Sequence, residues 1–425
     1  MLTEPAATVA GAGPSRAHCR FCGAGLEHTF ADLGMSPLCE TILSPGELNR
    51  MEPFYPLHVW VCAECLLVQV EDYVAPEAIF HSAYPYHSSY STSWLRHAET
   101  YVEQMCQRLS LGTHSQVVEI GSNDGYLLQY FVGRGIPVLG IEPAGNVAEE
   151  AERRGVPTRT RFFGEDMARE LVEEVGRADL LLGNNVLAQV PDLNSFLSGA
   201  SLLLAPDGLL TMEFPHLLRL VERNQFDTIY HEHFSYFSLL AVERIFSAHG
   251  LQIFDVEELS SHGGSLRVFA RHIGHPSQPV RPAVGALRAA EEAAGLRTVA
   301  YYTAFNEQAR STKRRLLRFL VDAKDAGRTI VGYGAPGKGN TLLNYCGIGR
   351  DFLDYTVDRN PHKQGGFLPG THIPILDPGT IEATRPDLVL ILPWNLSREI
   401  MEQMRHIHDW GGKFVVAIPD VAVHG

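Results

Sequence analysis

A short run near the middle of the sequence, residues 226–237, combines proton-transfer groups with aromatic residues. Four titratable or hydroxylic side chains stand in a row: Tyr230, His231, Glu232 and His233. The three residues 231–233 could bind a metal ion, or one histidine and Tyr230 could transfer protons while Glu232 orients them. Because successive residues of a strand point to opposite faces, a His-Glu-His run converges poorly on one ion. The pattern therefore favours acid–base chemistry.

Candidates for substrate binding lie on both sides of this run. Residues 80–93 are dense in tyrosine, histidine and serine, which is typical of a pocket-lining loop, although a solvated loop is an alternative. The element His262-Gly-Gly-Ser-Leu-Arg267 adds another histidine, His262. Further on, Gly332-Tyr-Gly-Ala-Pro-Gly337 follows a predicted strand and could bind a pyrophosphate. Lys338 would act there as a point charge and Asn340 as a donor.

A cofactor motif is predicted in the segment Val117-Val-Glu-Ile-Gly-Ser-Asn-Asp-Gly125, between a strand and a helix. Glycines at such a turn let a ligand approach the backbone, and Glu142 at the end of the next strand can accept both hydroxyls of a ribose. A purely structural turn is the alternative. The spacing differs from that of dinucleotide-binding folds and resembles class I S-adenosylmethionine methyltransferases. That resemblance implies a set of cofactor-binding residues: Glu119, Gly121, Asn123, Gly125, Glu142, Asn184 and Asn185.

Seven cysteines occur in the chain, and four of them form two Cys-x-x-Cys pairs: Cys19, Cys22, Cys62 and Cys65. Two such pairs can complete a tetrahedral thiolate shell around zinc. A shell with four protein ligands has no open position, so we predict a structural zinc ion. Unrelated thiol pairs or a redox motif are the alternatives. The odd number of cysteines, together with no recognisable export signal, argues against a disulfide framework and favours a cytoplasmic protein.

Composition and charge exclude several other functions. The 425 residues carry 35 basic and 49 acidic side chains, a formal charge of −14. Such an acidic chain lacks the basic surface that general nucleic-acid binding needs. No apolar run approaches the ~18–20 residues of a membrane helix. We therefore expect a small-molecule substrate, no nucleic acid, no membrane and a monomer.

The hydrophobic pattern predicts an α/β protein in several parts. Residues 1–16 are interpreted as a disordered lead-in and residues 17–80 as a zinc-binding module of short strands. Strands alternate with helices across residues 81–275, which predicts a class I methyltransferase domain with a Rossmann-like parallel sheet. A connecting helix and a second Rossmann-like α/β domain are predicted within residues 276–425.

Four elements together resemble the sugar C-methyltransferase family, which acts on nucleotide-linked 4-keto deoxysugars in antibiotic biosynthesis. They are Cys-x-x-Cys-Gly with its second pair, Glu-Ile-Gly-Ser-Asn-Asp-Gly, Tyr-His-Glu-His-Phe with His-Gly-Gly-Ser-Leu-Arg, and Gly-Tyr-Gly-Ala-Pro-Gly-Lys-Gly-Asn-Thr. The resemblance implies methylation of the carbon next to the ketone, with the carboxyl-terminal domain helping to bind the nucleotide sugar. It also implies an active-site set, reached by Tyr84 or Tyr86 from the amino-terminal side: Tyr230, Glu232 and His233.

The chemistry suggests a division of labour within that set. We expect His233 to remove the proton beside the ketone, Tyr230 to relay it or to hydrogen-bond the enolate, and Glu232 to orient one of them. One departure from the family stands at Gln189, where some members have a histidine, because an amide can only hydrogen-bond. A methyltransferase acting on a non-sugar acceptor is one alternative. A nicotinamide-dependent oxidoreductase is another, because residues 332–337 and Asp358 fit a dinucleotide fingerprint.

Overall fold

A computed structural model describes residues 17–80, 84–275 and 278–425. The predicted lead-in 1–16 and part of the tyrosine-rich loop, 81–83, lie outside the described residues. The fold class is the one predicted: the described residues form three β-sheets with helices packed around them. Among these residues, no helix combines the length and the apolar character needed to cross a bilayer.

The amino-terminal sheet is antiparallel and, in the described residues, has four strands. Its strands are, in spatial order, His28–Ser36, Tyr55–Val61, Val68–Val70 and Ser235–Tyr236. The last of these comes from far along the chain, and Tyr236 pairs with Val68. The zinc module is therefore completed by the strand that directly follows the Tyr-His-Glu-His run.

The central sheet spans the predicted methyltransferase domain, with seven strands in the described residues. Their spatial order is Leu251–Leu259, Ser265–His272, Leu204–Pro215, Ala178–Asn184, Val117–Ile120, Val138–Ile141 and Thr158–Arg159. The last five are mutually parallel, whereas Ser265–His272 pairs antiparallel with both of its neighbours. Ligands bind at the carboxyl ends of such parallel strands, which is where the predicted cofactor residues stand.

The carboxyl-terminal sheet has six strands in the part of the chain described. They are, in spatial order, Ile375–Leu376, Thr356–Val357, Ile330–Tyr333, Leu388–Ile391, Lys413–Val416 and Ala422–His424. The pairings are parallel except for the last, Lys413–Val416 with Ala422–His424. This is the second α/β unit that the sequence predicts.

Helices surround and connect the three sheets. The described α-helices are Pro76–Ile79, Thr92–Leu109, Leu128–Val132, Gly145–Arg153, Glu165–Glu174, Leu193–Leu203, Leu217–Glu222, Leu239–Ala248, Pro282–Ala294, Val299–Thr303, Phe305–Asp325, Gly337–Cys346, Gly379–Thr384 and Ser397–Gln403. Short 3-10 helices span Ser88–Tyr90, Leu187–Gln189, Phe226–Thr228, Ser261–Gly263, Trp394–Leu396 and Arg405–Trp410. The single connecting helix expected between the last two domains is in fact three helices between Pro282 and Asp325.

Packing ties the amino-terminal sheet to these connecting helices. Phe30 of the first strand stacks on Phe305, with ring centroids 4.6 Å apart and planes at 17°. Both residues are fully buried within one apolar core that also contains residues of the carboxyl-terminal sheet, such as Leu390. The zinc module and the carboxyl-terminal domain therefore share a core.

Candidate active site and metal centre

The four predicted zinc ligands converge in the folded chain. The Sγ atoms of Cys19, Cys22, Cys62 and Cys65 all lie within 4.8 Å of one another. Cys19 is 3.5 Å from Cys65 and Cys22 is 3.6 Å from Cys62. A tetrahedron with Zn–S bonds of about 2.3 Å has S–S edges of about 3.8 Å, so the cluster fits a closed zinc site.

The two Cys-x-x-Cys turns share one construction. Gly23 and Leu66, which follow the second cysteine of each pair, both have a positive φ, of 74° and 63°. Each donates its N–H to the carbonyl of the first cysteine, at 2.9 Å. The turns therefore aim two sulfurs to one side, although a glycine follows only the first pair.

A cavity of about 410 Å³ lies where the three parts of the chain meet, a volume typical of small-molecule sites. Glu40 and Phe80 of the amino-terminal part and Pro336 and Gly337 of the carboxyl-terminal domain contribute to its wall. Most of the predicted site residues also line it: Tyr84, Tyr86, Gly121, Asn123, Glu142, Asn184, Asn185, Tyr230, Glu232, His233, His262 and Lys338. Glu119, Gly125 and Asn340 do not belong to the described lining.

The predicted cofactor loop forms one wall of the cavity. Gly121 has φ 68°, and a Cβ there would stand 3.0 Å from Val186, so the close approach requires glycine. Glu142 is buried and accepts the N–H groups of Asn123 at 3.0 Å and Ala144 at 2.9 Å. Burial raises the pKa of Glu142 to about 7. A carboxylate has about four acceptor positions, so two remain for ribose hydroxyls.

Unpaired polar atoms behind this loop also fit a bound cofactor. Among the described residues, neither the amide nitrogen nor the amide oxygen of buried Asn184 has a hydrogen-bond partner. The buried carboxyl of Glu119 also makes no hydrogen bond of good geometry there, although the nearby Tyr126 side chain opposes the rise in pKa that burial causes. Since buried polar groups are nearly always paired, these atoms mark a place for a polar ligand or water.

The segment after residue 83 is attached to the cofactor domain through reciprocal amide contacts. Asn146 Oδ1 accepts the N–H of Tyr84 at 3.2 Å, and Asn146 Nδ2 donates to the Tyr84 carbonyl at 2.8 Å. Asn123 does the same further along, with the N–H of Ser88 at 2.8 Å and the carbonyl of Tyr86 at 3.2 Å. The segment is therefore a fixed part of the cavity wall.

The run Tyr230–His233 forms a turn, whereas the sequence suggested a strand. The N–H of His233 donates to the carbonyl of Tyr230 at 2.9 Å, and the two rings lie 4.1 Å apart. His233 Nδ1 donates to the Thr228 carbonyl at 3.0 Å, which leaves Nε2 as the basic nitrogen. Burial lowers the pKa of His233 to about 3, so the imidazole is neutral. Burial raises the pKa of Tyr230, which stays a neutral donor.

Glu232 contacts the amino-terminal part of the chain rather than its own neighbours. It accepts hydrogen bonds from the hydroxyl of Tyr84 at 3.4 Å and the thiol of Cys39 at 3.7 Å. Burial, and then the charge of Glu40, raise the pKa of Glu232 to about 8. Glu232, which we expect to orient His233 or Tyr230, makes its hydrogen bonds to Tyr84 and Cys39, and the Nδ1 of His233 is held by the Thr228 carbonyl.

The alternative of a metal ion held by residues 231–233 finds no geometric support. His231 Nε2 donates to the Pro56 carbonyl at 3.1 Å, so its ring turns toward the zinc module. Within the described part of the chain, three or more potential ligands lie close enough to share an ion only in the cysteine cluster.

His262 approaches the cavity from the side of the central sheet. It has φ 52°, and its Nε2 accepts a hydrogen bond from Asn185 Nδ2 at 2.9 Å. Burial, and then the charge of Lys338, lower the pKa of His262 to about 4. Gln189, where some sugar C-methyltransferases have a histidine, also lines the cavity.

The glycine loop of the carboxyl-terminal domain is occupied by carboxylates of the protein itself. Glu40 accepts the N–H of Gly337 at 3.1 Å and the ammonium of buried Lys363 at 2.9 Å. Asp358 accepts the N–H of Ala335 at 2.7 Å. The amides of Ala335 and Gly337 therefore already have partners, and both carboxylate oxygens of Asp358 accept a backbone N–H, the second from Asn360 at 2.8 Å. Buried Asn340 accepts from Asn344 one turn along its helix.

Comparisons with known proteins agree with this three-part organisation. Residues 19–80 match a family model described as "Putative zinc binding domain", 94–256 one described as "Methyltransferase domain", and 260–419 one described as "C-methyltransferase C-terminal domain". Together with the cysteine cluster and the cofactor loop, these matches define a methyltransferase with a zinc-binding module. C-methyltransferase NovU from Streptomyces niveus is 38% identical over 408 residues, which cover 95% of this chain and 96% of that protein. The chain belongs to the S-adenosylmethionine-dependent C-methyltransferase family.

Solved structures resemble part of the chain more distantly. Magnesium protoporphyrin IX methyltransferase from Synechocystis PCC 6803 with bound S-adenosylmethionine is 16% identical, with a TM-score of 0.32, covering 41% of this chain and 78% of that one. An S-adenosylmethionine-dependent methyltransferase from Clostridium acetobutylicum ATCC 824 is 12% identical, with a TM-score of 0.34, covering 42% and 92%.

Proposed function

We propose that this C-methyltransferase methylates the carbon next to the ketone of a nucleotide-linked keto deoxysugar. The observation that carries the proposal is the shared cavity. One wall holds the cofactor residues Gly121 and Glu142, another holds Tyr230 and His233, and the carboxyl-terminal domain closes the cavity with Gly337 and Lys338. A cavity bounded by the cofactor loop and the acid–base pair suits a keto sugar beside the methyl donor, and the resemblance to the sugar C-methyltransferase family supports a nucleotide attached to that sugar.

Proton removal is the first task of the chain's own residues. A C–H bond beside a ketone becomes acidic when the carbonyl oxygen accepts a hydrogen bond. Neutral His233 takes that proton on Nε2, since its Nδ1–H is engaged by the Thr228 carbonyl. The C–H electron pair becomes the enolate, whose oxygen accepts a hydrogen bond from the neutral phenol of Tyr230.

The cofactor residues orient the second reactant. Glu142 and the loop at Gly121 would hold S-adenosylmethionine, which would supply an electrophilic methyl group for the enolate carbon. Residues around the cavity keep water away: His233 and Tyr84 are 7% exposed. Exclusion of water strengthens each hydrogen bond to the developing enolate.

The test is incubation of the protein with S-adenosylmethionine and a panel of keto deoxysugar nucleotides, followed by mass spectrometry. We expect a gain of one methyl group on carbon and loss of one deuterium from substrate labelled beside the ketone. The matched control is the same sugar nucleotide with the ketone reduced to a hydroxyl, which has no acidic C–H. Methylation of that control, or no methylation of any keto sugar nucleotide, would contradict the proposal.

A further inference from the structure

Lys338 lies in a setting that the pyrophosphate interpretation does not explain. Its ammonium donates to Asn395 Oδ1 at 2.8 Å and lies 4.8 Å from the centre of the Trp394 ring. The indole N–H of Trp394 in turn donates to Asp227 Oδ2 at 2.7 Å. Asp227 is fully buried and is not among the site residues expected from the sequence. Residues of the central and carboxyl-terminal domains therefore pack together around this ammonium.

The Trp394 ring also contacts the loop that carries His262, on the histidine side of the cavity. A Cβ at Gly263, the residue after His262, would lie 2.4 Å from the Trp394 ring, so this loop packs directly on the indole. Lys338, His233 and His262 all line the cavity. The charge of Lys338 contributes to the lowered pKa values of both histidines. The ammonium therefore lies on the acid–base side of the cavity.

A pyrophosphate is poorly matched to this place. The N–H groups of Ala335 and Gly337 already donate to Asp358 and Glu40. The carboxyl groups of Glu40 and Glu232 line the same cavity, and Lys338 and Arg161 are the lysine and arginine residues in its described lining. Arg161 is paired with Glu170, which leaves one cation for an anion of about two charges.

We propose that Lys338 is a catalytic residue that donates a hydrogen bond to the ketone oxygen of the substrate and to the enolate oxygen that forms from it. Asp227 accepts the indole N–H of Trp394 and is the positioning residue that, through this ring, keeps the ammonium aimed. No bond to Lys338 forms or breaks: the proton from carbon goes to His233, and the enolate charge is balanced by the ammonium. The inference rests on the proposed function. It assigns Lys338 to the ketone of the substrate instead of to the pyrophosphate.

The test uses Lys338→Met, whose unbranched side chain can still pack on Trp394. It measures the reaction at the ketone and the binding of the nucleoside diphosphate separately. In heavy water, with S-adenosylhomocysteine bound and saturating keto sugar nucleotide, exchange of the proton beside the ketone should fall 10²–10³-fold, the usual cost of one oxyanion donor. The kcat of methylation should fall by the same factor. Affinity for the matching nucleoside diphosphate should stay unchanged. Lys338→Arg should recover part of the exchange, and exposed Lys413→Met is the control for net charge.

Each other outcome decides the question. A loss of nucleoside diphosphate affinity with wild-type exchange at saturation would assign Lys338 to the pyrophosphate and overturn this role. Asp227→Asn should lower exchange less than Lys338→Met does, and should leave KM unchanged, because an amide oxygen still accepts from Trp394. If the single lysine variant fails to bind S-adenosylmethionine, the double variant Lys338→Met with Asp227→Asn removes both charges, and wild-type exchange in it would overturn the role. A wild-type protein without exchange on any keto sugar nucleotide refutes the proposed function itself.

Discussion

Replacement of His233 by asparagine separates the two nitrogens of the imidazole. The amide nitrogen of asparagine can occupy the place of Nδ1 and keep the 3.0 Å hydrogen bond to the Thr228 carbonyl, while the basic Nε2 is lost. General-base catalysis contributes 10²–10⁴ in rate, so turnover should fall by that factor, or about 2.7–5.4 kcal/mol in the barrier. Affinity for S-adenosylmethionine, measured by calorimetry, should not change. Hydrogen exchange beside the ketone should fall with turnover.

The same variant has a pH signature in stability. Folding lowers the pKa of His233 from 6.5 to about 3, so the unfolded chain binds the extra proton and the wild type loses stability as the pH falls below 6.5. At pH 5.5 this penalty is about 1.4 kcal/mol, and asparagine does not have it. The free-energy difference between the variant and the wild type should therefore shift by about 1.4 kcal/mol in favour of the variant between pH 8 and pH 5.5. Wild-type exchange, or a pH-independent difference in denaturant unfolding, would refute the reasoning.

Three further changes test the cofactor loop, the metal and the contact between domains. Glu142→Ala should weaken S-adenosylmethionine binding by about 1.5–3 kcal/mol, since a buried carboxylate acceptor is lost, and unchanged calorimetric affinity would mean that the ribose is held elsewhere. Cys62→Ser should lower bound zinc and solubility together, because metal binding supplies folding energy to such modules; a folded protein purified without metal would contradict this. Glu40→Gln removes the carboxylate that pairs with buried Lys363, which keeps only the Ala335 carbonyl as a hydrogen-bond acceptor, and should destabilise the protein by about 3–5 kcal/mol in thermal unfolding. Glu40→Gln combined with Lys363→Met should regain most of that loss, and an unchanged melting temperature in the single variant would argue against the pairing.

Local patterns were sufficient to predict the strands that carry the cofactor loop. The strand Val117–Ile120 precedes that loop and the strand Val138–Ile141 ends just before Glu142, as expected, because short apolar runs bounded by turn residues report directly on burial. The four zinc ligands could also be recognised, since two closely spaced thiol pairs have few other uses. These features depend on residues that are near one another in sequence.

Features that depend on distant residues could not be predicted in this way. The glycine loop at residues 332–337 has the pattern of a phosphate-binding site, but Glu40 reaches Gly337 across 297 positions of sequence. The assumption of a strand at Tyr230–His233 failed for a related reason, because a turn there is stabilised by the Thr228 carbonyl and by packing. Asp227 and Trp394 gave no sequence signal, since their hydrogen bond joins residues 167 positions apart.

The strand that the central domain contributes to the sheet of the zinc module has a consequence for synthesis. Val68–Val70 leaves the ribosome with one side of its backbone unpaired, and its partner Ser235–Tyr236 follows more than 160 residues later. Until then the nascent module presents an open sheet edge, which is a site of mispairing. The zinc module, which is synthesised first, is therefore completed late. Pairing of its last strand places His233, two residues before that strand, in the wall of the cavity. A nascent chain that stalls before residue 235 therefore has its cysteines in place for zinc but no active site.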